Sequence, residues 1–138
     1  MDAPTSPRLL PQTVDAPMRD AAMVAHHLQP MLSGLEHELL IALFLDGTDR
    51  LVGEVTIAGT SDRIILCMRR IFREALAVDA RAMILAHNHP AGDSTPSTAD
   101  ISATRDCARV GRLLSVPVID HLVFGSDNVA SFRGIGLL

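Results

Sequence analysis

Two histidines and an aspartate lie close together in the second half of the chain, at His87, His89 and Asp100. Imidazole nitrogen and carboxylate oxygen are ligands that zinc prefers, and a catalytic zinc site uses three protein ligands and leaves one position to water. In an extended segment, residues i and i+2 point to the same side, so both imidazoles can face one ion. These residue types therefore predict a metal centre of the catalytic kind.

The elements on either side of this window predict how the three side chains are positioned. Residues 82–86 (AMILA) are a short apolar run that predicts a buried strand leading directly into His87. A polar loop (AGDSTP) follows, and residues 97–114 have helical spacing, which places Asp100 in the first turn of that helix. Ligand sites in α/β sheets usually lie at the carboxyl ends of strands, as this arrangement requires.

Each part of the window also has an ordinary structural interpretation. A lone His-x-His is more often incidental than a metal site. Ser97 and Asp100 have the spacing of a helix capping box with Asp in place of Glu, which alone would account for both residues. The metal site is favoured because all of these residues fall within one window of fourteen residues.

The hydrophobic pattern predicts one α/β domain with a mixed central sheet flanked by helices. Residues 1–17 hold four of the eight prolines and show no periodicity, which predicts a flexible arm before a domain at 18–138. The predicted elements are a helix at 18–35 that Pro30 kinks or splits near its end, strands at 38–46 and 51–58, a brief strand at 64–66, a helix at 68–78, a strand at 82–86, a helix at 97–114, and strands at 116–124 and 129–132.

Composition argues against several functional classes. Hydrophobic residues make up 48% of the chain, yet no apolar run reaches the ~20 residues of a membrane span, and no signal peptide is evident, so we expect a cytoplasmic protein without membrane association. A net charge of −4 and few aromatic residues argue against nucleic-acid binding. The two cysteines, Cys67 and Cys107, form no CxxC pair, and Cys107 is predicted to be a buried thiol inside a helix.

The loop HNHPAGDSTPSTAD resembles a known signature, H-x-H-x7-S-x2-D, of the JAMM metalloprotease domain, also called MPN or JAB. More narrowly, HNHPAGDSTPS followed by AD resembles the bacterial RadC family. FLDGTDRLVGE, ILAHNHPAGD and VIDHLVFG extend the resemblance from about Ser33 to Leu138. It implies a JAMM/MPN fold, which is cytidine-deaminase-like. RadC-type proteins usually carry an N-terminal helix-hairpin-helix module, whereas this chain has a Pro-rich arm and one helix there.

The resemblance implies a role for each residue that matches the motif. His87, His89 and Asp100 would be ligands of Zn²⁺, and Ser97 would help to hold the oxyanion. JAMM sites also use a glutamate just before the first strand as general base, and Glu38, directly before LLIALFLD, matches it best.

Two further glutamates remain alternatives for the base. Glu36 would share the face of Glu38 in an extended segment, and Glu54 lies on the second strand. Asp93, Asp120 and His121 are candidates to support the ligating imidazoles through hydrogen bonds, although His121 is about as well explained as a buried structural residue. Surface or packing roles are predicted for His26, His27 and His37.

The function that the resemblance implies is a zinc-dependent hydrolase that cleaves peptide or isopeptide-like amide bonds in a peptide or protein substrate. One alternative is an MPN-type interaction module without activity, which the three intact ligand positions argue against. Another is a DNA-repair-associated RadC-like factor, which the acidic charge argues against.

Overall fold

The computed structural model describes residues 17–18, 20–59 and 67–138, and it confirms the predicted α/β class with a mixed sheet. The helices are α1 (Ala21–Leu32), α2 (Met68–Ala77) and α3 (Thr98–Leu113). The strands are β1 (Leu39–Leu45), β2 (Leu51–Ala58), β3 (Ala82–Asn88), β4 (Val118–Phe124) and β5 (Val129–Ser131). The predicted arm, apart from Pro17, and the brief strand predicted at 64–66 lie outside the described residues.

The five strands form one sheet in the order β2-β1-β3-β4-β5. Only β3 and β4 are parallel, and the other three pairs are antiparallel. All seven residues of the central strand β3 are buried. A strand that is covered on both faces favours apolar residues, which explains the hydrophobic run at 82–86, and the buried polar residues His87 and Asn88 follow at its end.

Alternate residues of each strand pack against different helices. On β1, Leu40, Ala42 and Phe44 contact the residues of α2 and α3, whereas Ile41 and Leu43 pack with α1 on the other side of the sheet. All four phenylalanines of the chain are buried in this structure. The sheet therefore separates two layers, and the parity of a strand residue decides which layer its side chain enters.

Helix α1 is shorter than the hydrophobic pattern predicts, and Pro30 does not split it. Asp20 caps its first turn by accepting a hydrogen bond from Met23 N at 2.8 Å, and the Ser33 N–H donates to Gln29 O at the other end. Proline disturbs the helix at the residue four positions before it. The helix nevertheless continues through Pro30 to Leu32. Within the described residues, no helix is both long and apolar enough to span a membrane.

Helix α3 packs so closely at Gly111 that a side chain does not fit. A Cβ atom there would lie 2.5 Å from the carbonyl oxygen of Val116 and 3.6 Å from the ring of Phe72. Alanine normally stabilises a helix by about 1 kcal/mol relative to glycine. Here we expect Gly111→Ala to lower the free energy of unfolding by about 1–3 kcal/mol, since the backbone of residue 116 must move. Urea denaturation measures this change.

The exposed Ser102 of the same helix provides the control. We expect Ser102→Ala to change the free energy of unfolding by no more than about 0.5 kcal/mol. A Gly111→Ala protein as stable as the unaltered chain would contradict the close packing.

Candidate metal centre

The end of β3 and the first turn of α3 bring His87, His89 and Asp100 together. The Nε2 atoms of the two histidines are 3.0 Å apart. Asp100 Oδ2 lies 3.1 Å from His89 Nε2 and 3.3 Å from His87 Nε2. The side chains of His87 and Asp100 are 0% and 5% exposed and that of His89 is 15% exposed, so the cluster meets solvent on the His89 side. The geometry allows all three to hold one metal ion.

Both imidazoles face the cluster with Nε2 because their Nδ1 atoms are engaged elsewhere. His89 Nδ1 lies 2.7 Å from the carbonyl oxygen of Asp93, which can only accept a hydrogen bond. His89 therefore carries its hydrogen on Nδ1, and the lone pair of Nε2 points at the cluster. His87 Nδ1 is occupied by His121 Nε2 at 2.7 Å. This donor set fits a metal ion, since electron-rich nitrogen and oxygen atoms converge on one point.

The position of Asp100 is compatible with both of the roles that the sequence left open, helix capping and metal binding. Its Oδ2 accepts a hydrogen bond from Ser97 N at 2.9 Å, and Ser97 Oγ accepts one from Asp100 N at 3.0 Å, which completes a capping box. The same Oδ2 is the atom that faces the histidines. Capping thus does not compete with metal binding, because it fixes the carboxylate in the orientation that a ligand needs.

The pKa values of the three candidate ligands are shifted by burial and by the hydrogen bonds that the ligands make with one another. Burial lowers the pKa of His87, whereas the hydrogen bond with Asp100 raises the pKa of His89. Burial alone would raise the pKa of Asp100, but hydrogen bonds with His87 and His89 outweigh it and hold that pKa well below its usual range.

Glu38 is the glutamate that the structure places beside this cluster. Its carboxyl is buried, and Oε1 lies 4.0 Å from His89 Nε2. Asn88 fixes the backbone on both sides of it, since its Oδ1 accepts from Leu39 N at 2.7 Å and its Nδ2 donates to His37 O at 3.0 Å. The Glu38 carbonyl also accepts from Gly59 N at 2.8 Å. The backbone that carries Glu38 is therefore held by β2 and β3.

The two alternative glutamates lie elsewhere. Glu54 is paired with Leu43 in the β1–β2 register, and side chains directly opposite in antiparallel strands share a face. Leu43 packs on the α1 side, whereas His87 is paired with Leu40, which packs on the α2 and α3 side. Glu54 is thus buried on the opposite face of the sheet, and Glu36 is exposed.

The candidate supporting residues differ in what they contact. Asp93 meets His89 through its backbone carbonyl, while its carboxylate binds Thr95. His121 contacts His87 directly, but Asp120 does not act on either ligand. The Asp120 carboxylate accepts hydrogen bonds from His121 N, Ser131 Oγ and Arg133 N instead. Its side chain points to the α1 face of the sheet, where Leu122, two residues along the strand, and its register partner Ile84 also pack.

Two residues near the centre, Asn88 and Thr104, were not singled out from the sequence. Asn88 holds the segment around Glu38, and Thr104 Oγ1 lies 2.7 Å from His121 Nδ1. The position of Asn88 between two ligands on a strand was a usable signal, since its side chain must point away from theirs. Nothing in the local sequence marks Thr104. Of the other histidines, His26 and His37 are exposed and His27 is half-buried.

A cleft of about 450 Å³ opens beside His89. Ser33 and Leu35, after the end of α1, line one side, and Ser126 and Asn128, in the turn between β4 and β5, line the other. His89 is the one candidate ligand among its lining residues, so the cleft meets the cluster at the partly exposed side of His89.

Comparison with known proteins identifies the domain type. A family model described as "RadC-like JAB domain" matches residues 18–137. A UPF0758 protein of Leptothrix cholodnii is 38% identical over 132 residues, which are 94% of this chain and 60% of the relative. A UPF0758 protein of Thermosynechococcus vestitus is 37% identical over 88% of this chain and 48% of its own length. A UPF0758 protein of a Janthinobacterium species is 42% identical over 83% of this chain and 52% of its own length. The chain therefore spans about half to three-fifths of the length of these curated relatives.

Separate substitutions of Asp100 and Ser97 distinguish metal binding from helix capping. Asp100→Asn keeps an oxygen that can cap the helix but removes the charge, so we expect a loss of metal affinity of at least about tenfold with little change in stability. Ser97→Ala removes the cap, so we expect a loss of about 1 kcal/mol in stability with metal affinity retained. Zinc titration and thermal unfolding measure the two effects. Unchanged zinc affinity in Asp100→Asn would leave capping as the only role of this carboxylate.

Metal affinity should depend on pH through His89 before His87. A ligand must lose its proton before the ion binds. Because the pKa of His89 is raised and that of His87 is lowered, only one proton needs to be displaced just below pH 6.5. We expect the apparent dissociation constant for zinc to rise about tenfold as the pH falls from about 6.5 to 5.5. A hundredfold rise over the same interval would mean that both imidazoles are protonated, contrary to their different environments.

Proposed function

We propose that this chain, which belongs to the family of RadC-like JAB domains, is a zinc-dependent hydrolase that cleaves peptide or isopeptide-like amide bonds. The observation that carries the proposal is the buried carboxylate of Glu38, whose Oε1 stands 4.0 Å from the candidate ligand His89. A carboxylate beside three converging ligands is the pairing of general base and metal centre that hydrolysis of an amide requires.

Zinc is the metal that these residues suit. Two imidazoles and one carboxylate are a ligand set of catalytic zinc sites, in which the fourth position stays open. The ion would be held by His87, His89 and Asp100. When bound, zinc lowers the pKa of a coordinated water to about 7 and polarises a carbonyl group.

Glu38 and Ser97 supply the remaining chemistry. Glu38 accepts a proton from the attacking water and returns it to the leaving amine, which needs a carboxylate held within reach of both. Asn88 provides this by fixing the backbone on either side of Glu38. Ser97 Oγ already accepts a hydrogen bond from Asp100 N, so its own hydrogen is available to donate to the developing oxyanion. One such donor contributes on the order of 3 kcal/mol.

The cleft beside His89 is the place that we assign to the substrate. Ser33, Ser126 and Asn128 line it with small polar groups that suit the amides of an extended polypeptide. The scissile carbonyl would then approach the metal centre from the exposed side of His89.

Substitution of Glu38 tests the proposed chemistry. We expect Glu38→Gln to keep the fold and about one zinc per chain while losing hydrolysis of a peptide library, because the amide cannot accept the proton. Glu36→Gln, which alters the exposed glutamate two residues earlier, should keep both zinc and activity.

Substitution of His89 tests the metal in the same assay. His89→Ala should lose most of the zinc, since two ligands do not hold a catalytic zinc tightly. Equal zinc content in His89→Ala and the unaltered chain would refute the centre. Full hydrolysis by Glu38→Gln would refute only the assignment of the base.

A further inference from the structure

A line of three buried hydrogen bonds joins two of the candidate ligands behind the metal centre. His87 Nδ1 lies 2.7 Å from His121 Nε2, and His121 Nδ1 lies 2.7 Å from Thr104 Oγ1. Thr104 Oγ1 lies 2.7 Å from the backbone carbonyl oxygen of Asp100. The three residues whose side chains form this line, His87, Thr104 and His121, are each at most 1% exposed to solvent. Water therefore does not compete for these bonds.

The chemistry of the groups fixes the direction of every bond in this line. The Asp100 carbonyl can only accept, so Thr104 donates its single hydroxyl hydrogen to it. Thr104 Oγ1 must then accept from His121, which places the hydrogen of that neutral ring on Nδ1 and leaves its Nε2 to accept. His87 consequently donates from Nδ1, and its Nε2 keeps a lone pair.

The ring of His121 is also fixed by packing. It stacks on Phe132, with ring centroids 4.7 Å apart and the planes 15° from parallel. Its backbone N–H donates to Asp120 Oδ1 at 2.8 Å. The ring is fully buried and neither of its nitrogens bonds to a carboxylate, so the neutral form is the one that these bonds hold.

We propose that Thr104 and His121 are positioning residues that set the tautomer of His87 and hold it in register with Asp100 before the ion binds. The line begins at the main chain of one ligand and ends at the ring of another, so it ties the start of α3 to the end of β3. The inference rests on the proposed function only in taking these residues as the ligands. His89 is oriented separately, by the Asp93 carbonyl of the loop.

Substitution of Thr104 tests this role in the metal-bound state. Thr104→Val keeps the shape but removes the hydroxyl, so we expect zinc affinity, measured by competition with a chelator, to fall about 10–100-fold. Thr104→Ser restores the hydroxyl and should bring the affinity back to within about threefold of the unaltered chain. Thr48→Val is the matched control, because the Thr48 hydroxyl makes a 2.8 Å bond to Asp46 in an exposed turn. Its zinc affinity should not change.

The tautomers give a second measurement that needs neither metal nor activity. In the metal-free chain, imidazole nitrogen shifts from NMR should show the hydrogen of His121 and that of His87 on Nδ1. In Thr104→Val the hydrogen of His121 should no longer be held there. A hydrogen on Nε2 of His121 in the unaltered chain would overturn the proposal even if Thr104→Val failed to fold.

The outcomes separate this inference from the proposed function. Undiminished zinc affinity in folded Thr104→Val overturns the positioning role and leaves hydrolysis untouched. Weakened zinc binding with the expected tautomers, in a chain that cleaves no peptide, supports the positioning role and counts against the hydrolase.

Discussion

Three electron-rich atoms meet in the interior of this protein, and their mutual repulsion is the constraint that the surrounding structure has to satisfy. The Nε2 atoms of His87 and His89 and the Oδ2 of Asp100 lie 3.0 to 3.3 Å apart. In a region of low dielectric such an arrangement is stable only with a proton or a metal ion between the atoms. Hydrogen bonds from the capping box, the loop carbonyl and His121 hold the three groups in place against this repulsion.

The pleat of β3 lets neighbouring residues serve different parts of the site. His87 faces the metal centre, and Asn88, the next residue, reaches across to the backbone on either side of Glu38. The parallel pairing of β3 with β4 places His121 opposite Leu85, two residues before His87 and on the same face of the sheet. Helix α3, which connects these two strands, begins at the same edge of the sheet and delivers Asp100 there. Ligands, supporting groups and candidate base thus converge from separate parts of the chain.

Sequence patterns were sufficient for the features that depend on neighbouring residues. The order of helices and strands, the buried β3 and the grouping of the ligand residues all follow from local periodicity and spacing. Glu38 was chosen over Glu54 by resemblance, whereas in the structure the β1–β2 register separates the two glutamates. The sequence does not reveal the role of Thr104, because that role depends on a hydrogen bond with the imidazole of His121, seventeen residues away in β4. Register and contacts of this kind depend on the packed sheet, which no short window of sequence contains.

The two hydrophobic layers hold the strand and the helix that carry the candidate ligands in place through apolar packing. On β3, Met83 and Leu85 pack against α2 and α3, whereas Ile84 and Ala86 pack on the α1 side of the sheet. A small zinc domain, by contrast, folds only when the ion supplies the missing free energy. Here the apolar core supports the cluster of candidate ligands, and the Nδ1 atoms of both histidines bond to groups outside that cluster. These hydrogen bonds hold the two rings with Nε2 toward the cluster, which is the preorganisation that a metal centre would need.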